Sequence, residues 1–201
     1  MKIVEYRGAR GLVYAPVTVD DADNFTCGAV KSFAGLAEVS KTTESSQDAH
    51  YYDNGPAVII TASGADTVTF SVSAIPHEVL ADISGQVYDE DRAMYVEVER
   101  KTKYFAVGYI TENTDGDEIY VWRLKGSFSI PDETSATKDA GTDANGQQIV
   151  FTGLRTVHKF TNAEDQGAKS VYVNATKNTS VAETTFFATV QDPDTVTKPT
   201  P

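Results

Sequence analysis

The sequence predicts a mainly β chain with few, short helices, and three observations carry that expectation. Apolar and polar residues alternate with a period of two over many segments, most cleanly in Thr67-Val68-Thr69-Phe70-Ser71-Val72-Ser73-Ala74, as a half-buried strand requires. Met94, Val96 and Val98 alternate with Tyr95, Glu97 and Glu99 in the same way. Only two stretches combine a helix start signal with an apolar stripe. At 201 residues, 40% hydrophobic and 23% charged, the chain suits one globular domain over 1–190 with an extended or disordered tail over 191–201.

In chain order, strands are predicted at Leu12–Val19, Val30–Val39, Ala57–Ala62 and Thr67–Ala74. Pro76 can take the first helical position, Val79, Leu80 and Ile83 form a stripe, and Gly85 can end the helix in a left-handed cap. Met94–Glu99 reads as a strand. Tyr104–Thr111 and Glu118–Ile130 are longer β segments joined by Glu112-Asn113-Thr114-Asp115-Gly116-Asp117, whose Asp-Gly step suits a tight turn. Further strands fall at Gln148–Phe160 and Val171–Ala175. Ser180, with Glu183 three residues on, has capping-box spacing for a second short helix running through Phe186, Phe187 and Val190. Both helices suit a plug over a sheet edge or an open barrel end. Two stretches lack periodicity and read as loops: Thr42–Asp48, and Pro131–Gly146 with its Asp, Thr, Ala and Gly.

The chemistry of a catalyst is missing from the pattern. The three histidines, His50, His77 and His158, stand singly. His77-Glu78 opens like a zinc-protease helix, but Ala81 occupies the place of the second histidine. Asp20-Asp21-Ala22-Asp23-Asn24 and Asp115-Gly116-Asp117-Glu118 do not match a calcium loop and suit turns better. No Gly-rich phosphate loop, nucleophile elbow or dinucleotide fingerprint occurs. Cys27 is the only cysteine, so no intrachain disulfide is possible, and it reads as a small, partly buried residue. Neither an enzyme nor a cofactor or metal site is therefore expected.

A net charge of −12, with 17 basic against 29 acidic residues, argues against gripping nucleic acid through its phosphates. No apolar run approaches the ~18 residues of a membrane span, so no membrane partner is expected. The start, MKIVEYRGARG, has no apolar stretch of the secretory kind, which points to synthesis in the cytoplasm. Tyr51 and Tyr52 sit beside Asp53-Asn54-Gly55 after the long polar run. Two roles fit them: an anchor of their own loop to the core, or an interface that buries large area with little loss of rotamer freedom.

Several segments together have an order and spacing that resemble those of one known family. Gly11-Leu12-Val13-Tyr14-Ala15-Pro16-Val17-Thr18 resembles the family's opening strand. The Ala29–Val39 strand, a polar loop and Tyr51-Tyr52-Asp53-Asn54-Gly55 resemble its strand, loop and Y-A-D-N turn, with Tyr52 where many relatives have alanine. Ile75-Pro76-His77-Glu78-Val79-Leu80 through Ile83-Ser84-Gly85 is similar to its I-P-x-E helix. Tyr104–Ile110, the Asn113–Glu118 turn, Tyr120–Ile130, Pro131-Asp132-Glu133-Thr134 and the Phe186-Phe187 pair follow in the same order. The family so resembled is the major tail proteins (tail tube subunits) of long-tailed, siphovirus-type bacteriophages and prophages; the resemblance covers residues 10 to 190, and it is the order and spacing that are specific.

The resemblance implies a β-sandwich or barrel-like tail-tube fold with one short flanking α-helix, a long loop and a short C-terminal helix. It also implies a virion protein that assembles into stacked hexameric rings, a conduit through which phage DNA passes without specific binding. Tape-measure and tail-tip or terminator proteins would be its other partners. Contacts between rings and subunits would fall on Thr42, Thr43, Glu44, Ser45, Ser46, Gln47, Asp48, His50, Tyr51, Tyr52, Asp53 and Asn54, and the Pro76–Ser84 helix would pack at the ring wall. A β-sandwich binding module, such as an Ig-like adhesion or carbohydrate-binding domain, is the alternative that the strand pattern and tyrosines also allow.

Overall fold

A computed structural model describes residues 3–52, 54–133 and 146–199. Strands account for 52% of it and helix for 8%, so the mainly β expectation holds. The strands are β1 (Tyr6–Asp20), β2 (Phe25–Cys27), β3 (Lys31–Ser32), β4 (Leu36–Tyr52), β5 (Gly55–Val72), β6 (Val87–Asp89), β7 (Met94–Val96), β8 (Phe105–Asn113), β9 (Glu118–Phe128), β10 (Gln147–Leu154) and β11 (Ser170–Asn174). Among the described residues, two short helices, α1 (His77–Ser84) and α2 (Glu183–Phe186), complete the set with one 3-10 turn at Thr161–Ala163.

One curled antiparallel sheet of nine strands runs β2-β1-β8-β9-β10-β5-β4, with β3 added to β1 and β11 added to β9. The register of β1 against β8 slips between Arg7 and Ala9 and again between Arg10 and Val13. Such bulges sharpen the local twist, which helps the sheet curl until the first half of β1 comes opposite β4. β6 and β7 form a separate two-stranded ribbon.

The curl gives the sheet two buried faces. Inside lie Tyr14, Val68, Phe70, Phe105, Val107, Val121, Phe128, Ile149 and Phe151, closed over by Leu80 and Ile83 of α1. Outside, Ala106, Ile110, Tyr120, Trp122 and Leu124 pack under Phe160, Val173 and Phe186 of the C-terminal segment. β8 and β9 therefore contribute alternate residues to both clusters, which is why Phe105–Ile110 is apolar without a break. Burial of this area is the main stabilising term.

Local signals hold where the turn chemistry is strong. Gly85 sits at φ +70 as the C-cap of α1, and a Cβ there would also lie 2.2 Å from Lys101 O. In the β8–β9 turn, Asn113 Oδ1 accepts from the amides of Asp115 (3.0 Å) and Asp117 (2.9 Å). Asp21 Oδ1 likewise accepts from the amides of Asp23 and Asn24, so that acidic run is turn chemistry. His77 is exposed and stacks on Tyr95 at 5.8 Å. Cys27 is half-buried, and burial, with help from Asp192 and Asp20, pushes its thiol up to about 12.

Four expectations are corrected. Val30–Val39 is not one strand: β3 ends at Ser32, Phe33 turns into the core, and β4 starts at Leu36. Gln148–Phe160 leaves the sheet at Leu154, because the Asp20 carboxylate draws in the amides of Val157 (2.9 Å) and His158 (3.0 Å). The second helix is one turn, Glu183–Phe186, with Ala182 as N-cap and no side-chain cap bond. Glu183 serves instead as a bidentate acceptor for Arg10, at 2.8 and 2.9 Å. The fourth, Thr42–Asp48 as a loop, concerns the site described next. Within the C-terminal run, Asp194 accepts from the amides of Thr161 (2.9 Å) and Asn162 (2.7 Å). The Pro131–Gly146 loop falls mostly outside the described residues. No helix among the described residues is long and apolar enough to cross a membrane.

Candidate interaction surface

Thr42–Asp48 belongs to the middle of a long strand. β4 pairs with β5 from Leu36↔Val72 out to Tyr52↔Gly55, so the polar run and the apolar run Ala57–Ala62 are two legs of one hairpin. The inner part, up to Asp66, is a body strand, since β10 pairs β5 only from Asp66 to Val72. Beyond it the hairpin projects as a two-stranded arm. Of its described residues from Glu44 to Gly64, every one whose side chain is described except Gly55 is exposed.

Sequence explains why this segment lacked a strand signature. Thr42-Thr43-Glu44-Ser45-Ser46-Gln47-Asp48 has no apolar residue, and period-two patterning arises only where one face of a strand is buried. From Glu44 outward neither face is. Ala49 opposite Ile59 and Gln47 opposite Thr61 lie on one face, and His50 opposite Val58 with Asp48 opposite Ile60 on the other. Val58, Ile59 (65% exposed) and Ile60 thus place aliphatic side chains on both faces of an uncovered ribbon, with Tyr51 (68%) and Tyr52 (64%) near the tip. The core-anchor role for the two tyrosines is excluded. Asn54 takes a left-handed φ of 65 at the turn, and Asp53 lies outside the described residues.

The arm leaves the body at a defined joint. The register slips between Thr43 and Ser45, where Glu44 stands opposite Gly64 and Ala65. A Cβ on Gly64 would lie 2.7 Å from Glu44 Oε2 and 3.0 Å from its Cβ, so glycine is what lets Glu44 cross. Directly inside the joint is Asp66, 3% exposed. Its carboxylate accepts from Thr43 Oγ1 at 3.0 Å and Lys169 Nζ at 3.0 Å, with Arg123 Nη1 at 3.4 Å and Lys41 Nζ at 3.6 Å. Lys169 also donates to Gly64 O. Burial pushes the Asp66 carboxyl up, but the bonds from Lys169 and Thr43 and the charge of Lys41 outweigh it and hold it below the usual carboxylate range.

The residues singled out from sequence therefore divide. Ser45, Ser46, Gln47, Asp48, His50, Tyr51, Tyr52 and Asn54 lie on the arm, Glu44 at its joint, and Thr42 and Thr43 on the anchored base. Sequence reasoning left out Val58, Ile59 and Ile60, whose uncharged β-branched run reads equally well as a core strand. It also left out Asp66, Lys169 and Arg123, which meet only through the fold.

An uncovered two-stranded ribbon with free edges and apolar side chains on both faces is a template for another chain. Among known proteins, no family model matches the chain and no curated protein is significantly similar to it.

Proposed function

We propose that the chain is a structural, self-assembling subunit, the major tail tube protein of a siphovirus-type phage or prophage, with no catalytic role. The observation that carries this reading is the arm. Its exposed Ile59, Val58 and Ile60, its tyrosines and its unpaired edges are hard to reconcile with a protein that stays alone in water. Ring closure and stacking remove such edges by pairing them with neighbouring copies. In this reading the arm bridges stacked hexameric rings, and the curled sheet forms the ring wall with α1 packed against it. The excess of acids gives the assembly a net negative charge, along which DNA slides by repulsion. The order of segments shared with phage tail proteins supports the same reading.

Electron microscopy of concentrated purified protein, with light-scattering mass, tests it. Tubes or six-fold rings are expected. A monomer at every concentration would sink the reading and favour a β-sandwich binding module.

A further inference from the structure

Where the first half of β1 comes opposite β4, the mouth of the curled sheet holds a cleft of about 520 Å³. Tyr6 and Thr111 line one wall and Lys41 with Glu38 the other, while Arg123, Tyr109 and Tyr172 also line it. The Arg123 side chain is 3% exposed. Its Nη2 donates to Tyr109 Oη at 3.0 Å and to Tyr172 Oη, and the guanidinium lies 5.2 Å from the centre of the Tyr172 ring.

Two independent features leave this group incomplete. Arg123 Nε is buried and has no hydrogen-bond partner, although an arginine so enclosed should have its donors met. In addition, three cations, Arg123, Lys41 and Lys169, share the single buried carboxylate of Asp66. Even with Glu38 on the rim the cluster is net positive, in a chain whose net charge is −12. Buried charge in excess of its partners calls for a counter-ion.

We propose that this cleft is a binding site for a carboxylate. Lys41 and the hydroxyl of Tyr172, which accepts from Arg123 and from Tyr109 and still carries its own proton to donate, would hold it above the guanidinium. A carboxylate suits the site better than a phosphate. Arg123 has already committed Nη2 to the tyrosines, which leaves too few donors for a tetrahedral dianion and enough for a planar monoanion. The source is either an acidic side chain of a second copy or a small free carboxylate. The second-copy source rests on the self-assembly reading; the site itself does not.

The test is NMR of the arginine Nε–H resonances of the full chain, diluted until light scattering gives a monomer and titrated with glutarate against chloride of equal ionic strength. A saturable shift of the Arg123 resonance is expected, weakened about tenfold in Lys41→Gln, which removes one charge-assisted bond. Lys41 is partly exposed, so this variant keeps the fold. If the same resonance also moves on raising protein concentration alone, the second copy supplies the carboxylate. If it responds to glutarate only, the ligand is a free small molecule. Glutarate binding in a protein that never assembles would remove the assembly reading and leave the site standing. Absence of a saturable glutarate shift overturns the proposal.

Discussion

The carboxylate of Asp66 accepts from Lys169 Nζ at 3.0 Å across 103 residues of sequence, and this contact fixes where the arm leaves the body. Lys169 lies just before β11, which pairs with β9. Through Asp66 and the Gly64 carbonyl it ties β5 to that part of the sheet. Arg123, in the middle of β9, reaches the same carboxylate from beneath. The root of the hairpin is thus held by charge, while the described side chains of its outer half are exposed.

Asp66→Asn should be strongly destabilising. It leaves Arg123 and Lys169 without their shared counter-ion in a buried setting, and breaking such a buried pair costs about 3–5 kcal/mol. Urea unfolding followed by circular dichroism measures it. A change under ~0.5 kcal/mol, as for an ordinary surface substitution, would show that the network does not hold the root.

Acid should weaken the fold through the same group. Asp66, Asp20 and Asp82 all titrate below the usual carboxylate range, each because bonds and charges from lysines or backbone amides outweigh the upward push of burial. With folded values below the unfolded one of about 3.9, their stabilisation is complete above that pH. It is lost as pH falls through the folded values. Stability measured from pH 6 downward should therefore decline steeply below about pH 4, and Asp66→Asn should flatten part of that decline.

Replacing Gln47–Thr61 by Asn-Gly joins Ser46 to Ala62, which are already paired, through a favoured two-residue turn. The unfolding midpoint of the monomer should stay close to that of the parent, because the described side chains of the removed segment are exposed apart from Gly55, while assembly should be lost. Removing Thr43–Asp48 alone is a poorer experiment than a loop reading suggests, since it strips one leg of a pair and takes Thr43 from Asp66. Normal particles from the Asn-Gly variant would rule out the arm as the contact.

Phe186→Ala should cost about 3–5 kcal/mol. Phe186 is 2% exposed beneath the outer face, packs on Tyr120 at 5.4 Å, and its carbonyl accepts from Trp122 Nε1 at 3.1 Å. Differential unfolding of the C-terminal segment, read by Trp122 fluorescence, should precede loss of the sheet signal. A stability equal to that of the parent would mean the outer cluster holds little.

The sequence by itself determined what local chemistry can specify. The mainly β character follows from period-two alternation, α1 from its apolar stripe and the left-handed Gly85, with Pro76 at the N-cap in extended backbone instead of at the expected first helical position, and the β8–β9 turn from Asn113 and Gly116. Each depends on residues within a few positions of one another. Only the tertiary structure decided that Thr42–Asp48 is a strand, because an arm with both faces in water carries no alternation to detect. It alone decided that Glu183 serves Arg10 and that Asp20 ends β10. It also brought Arg123, Asp66, Lys41 and Lys169 to one point. Those partners are far apart in the chain, and the curl of the sheet, which no local pattern encodes, is what makes them neighbours.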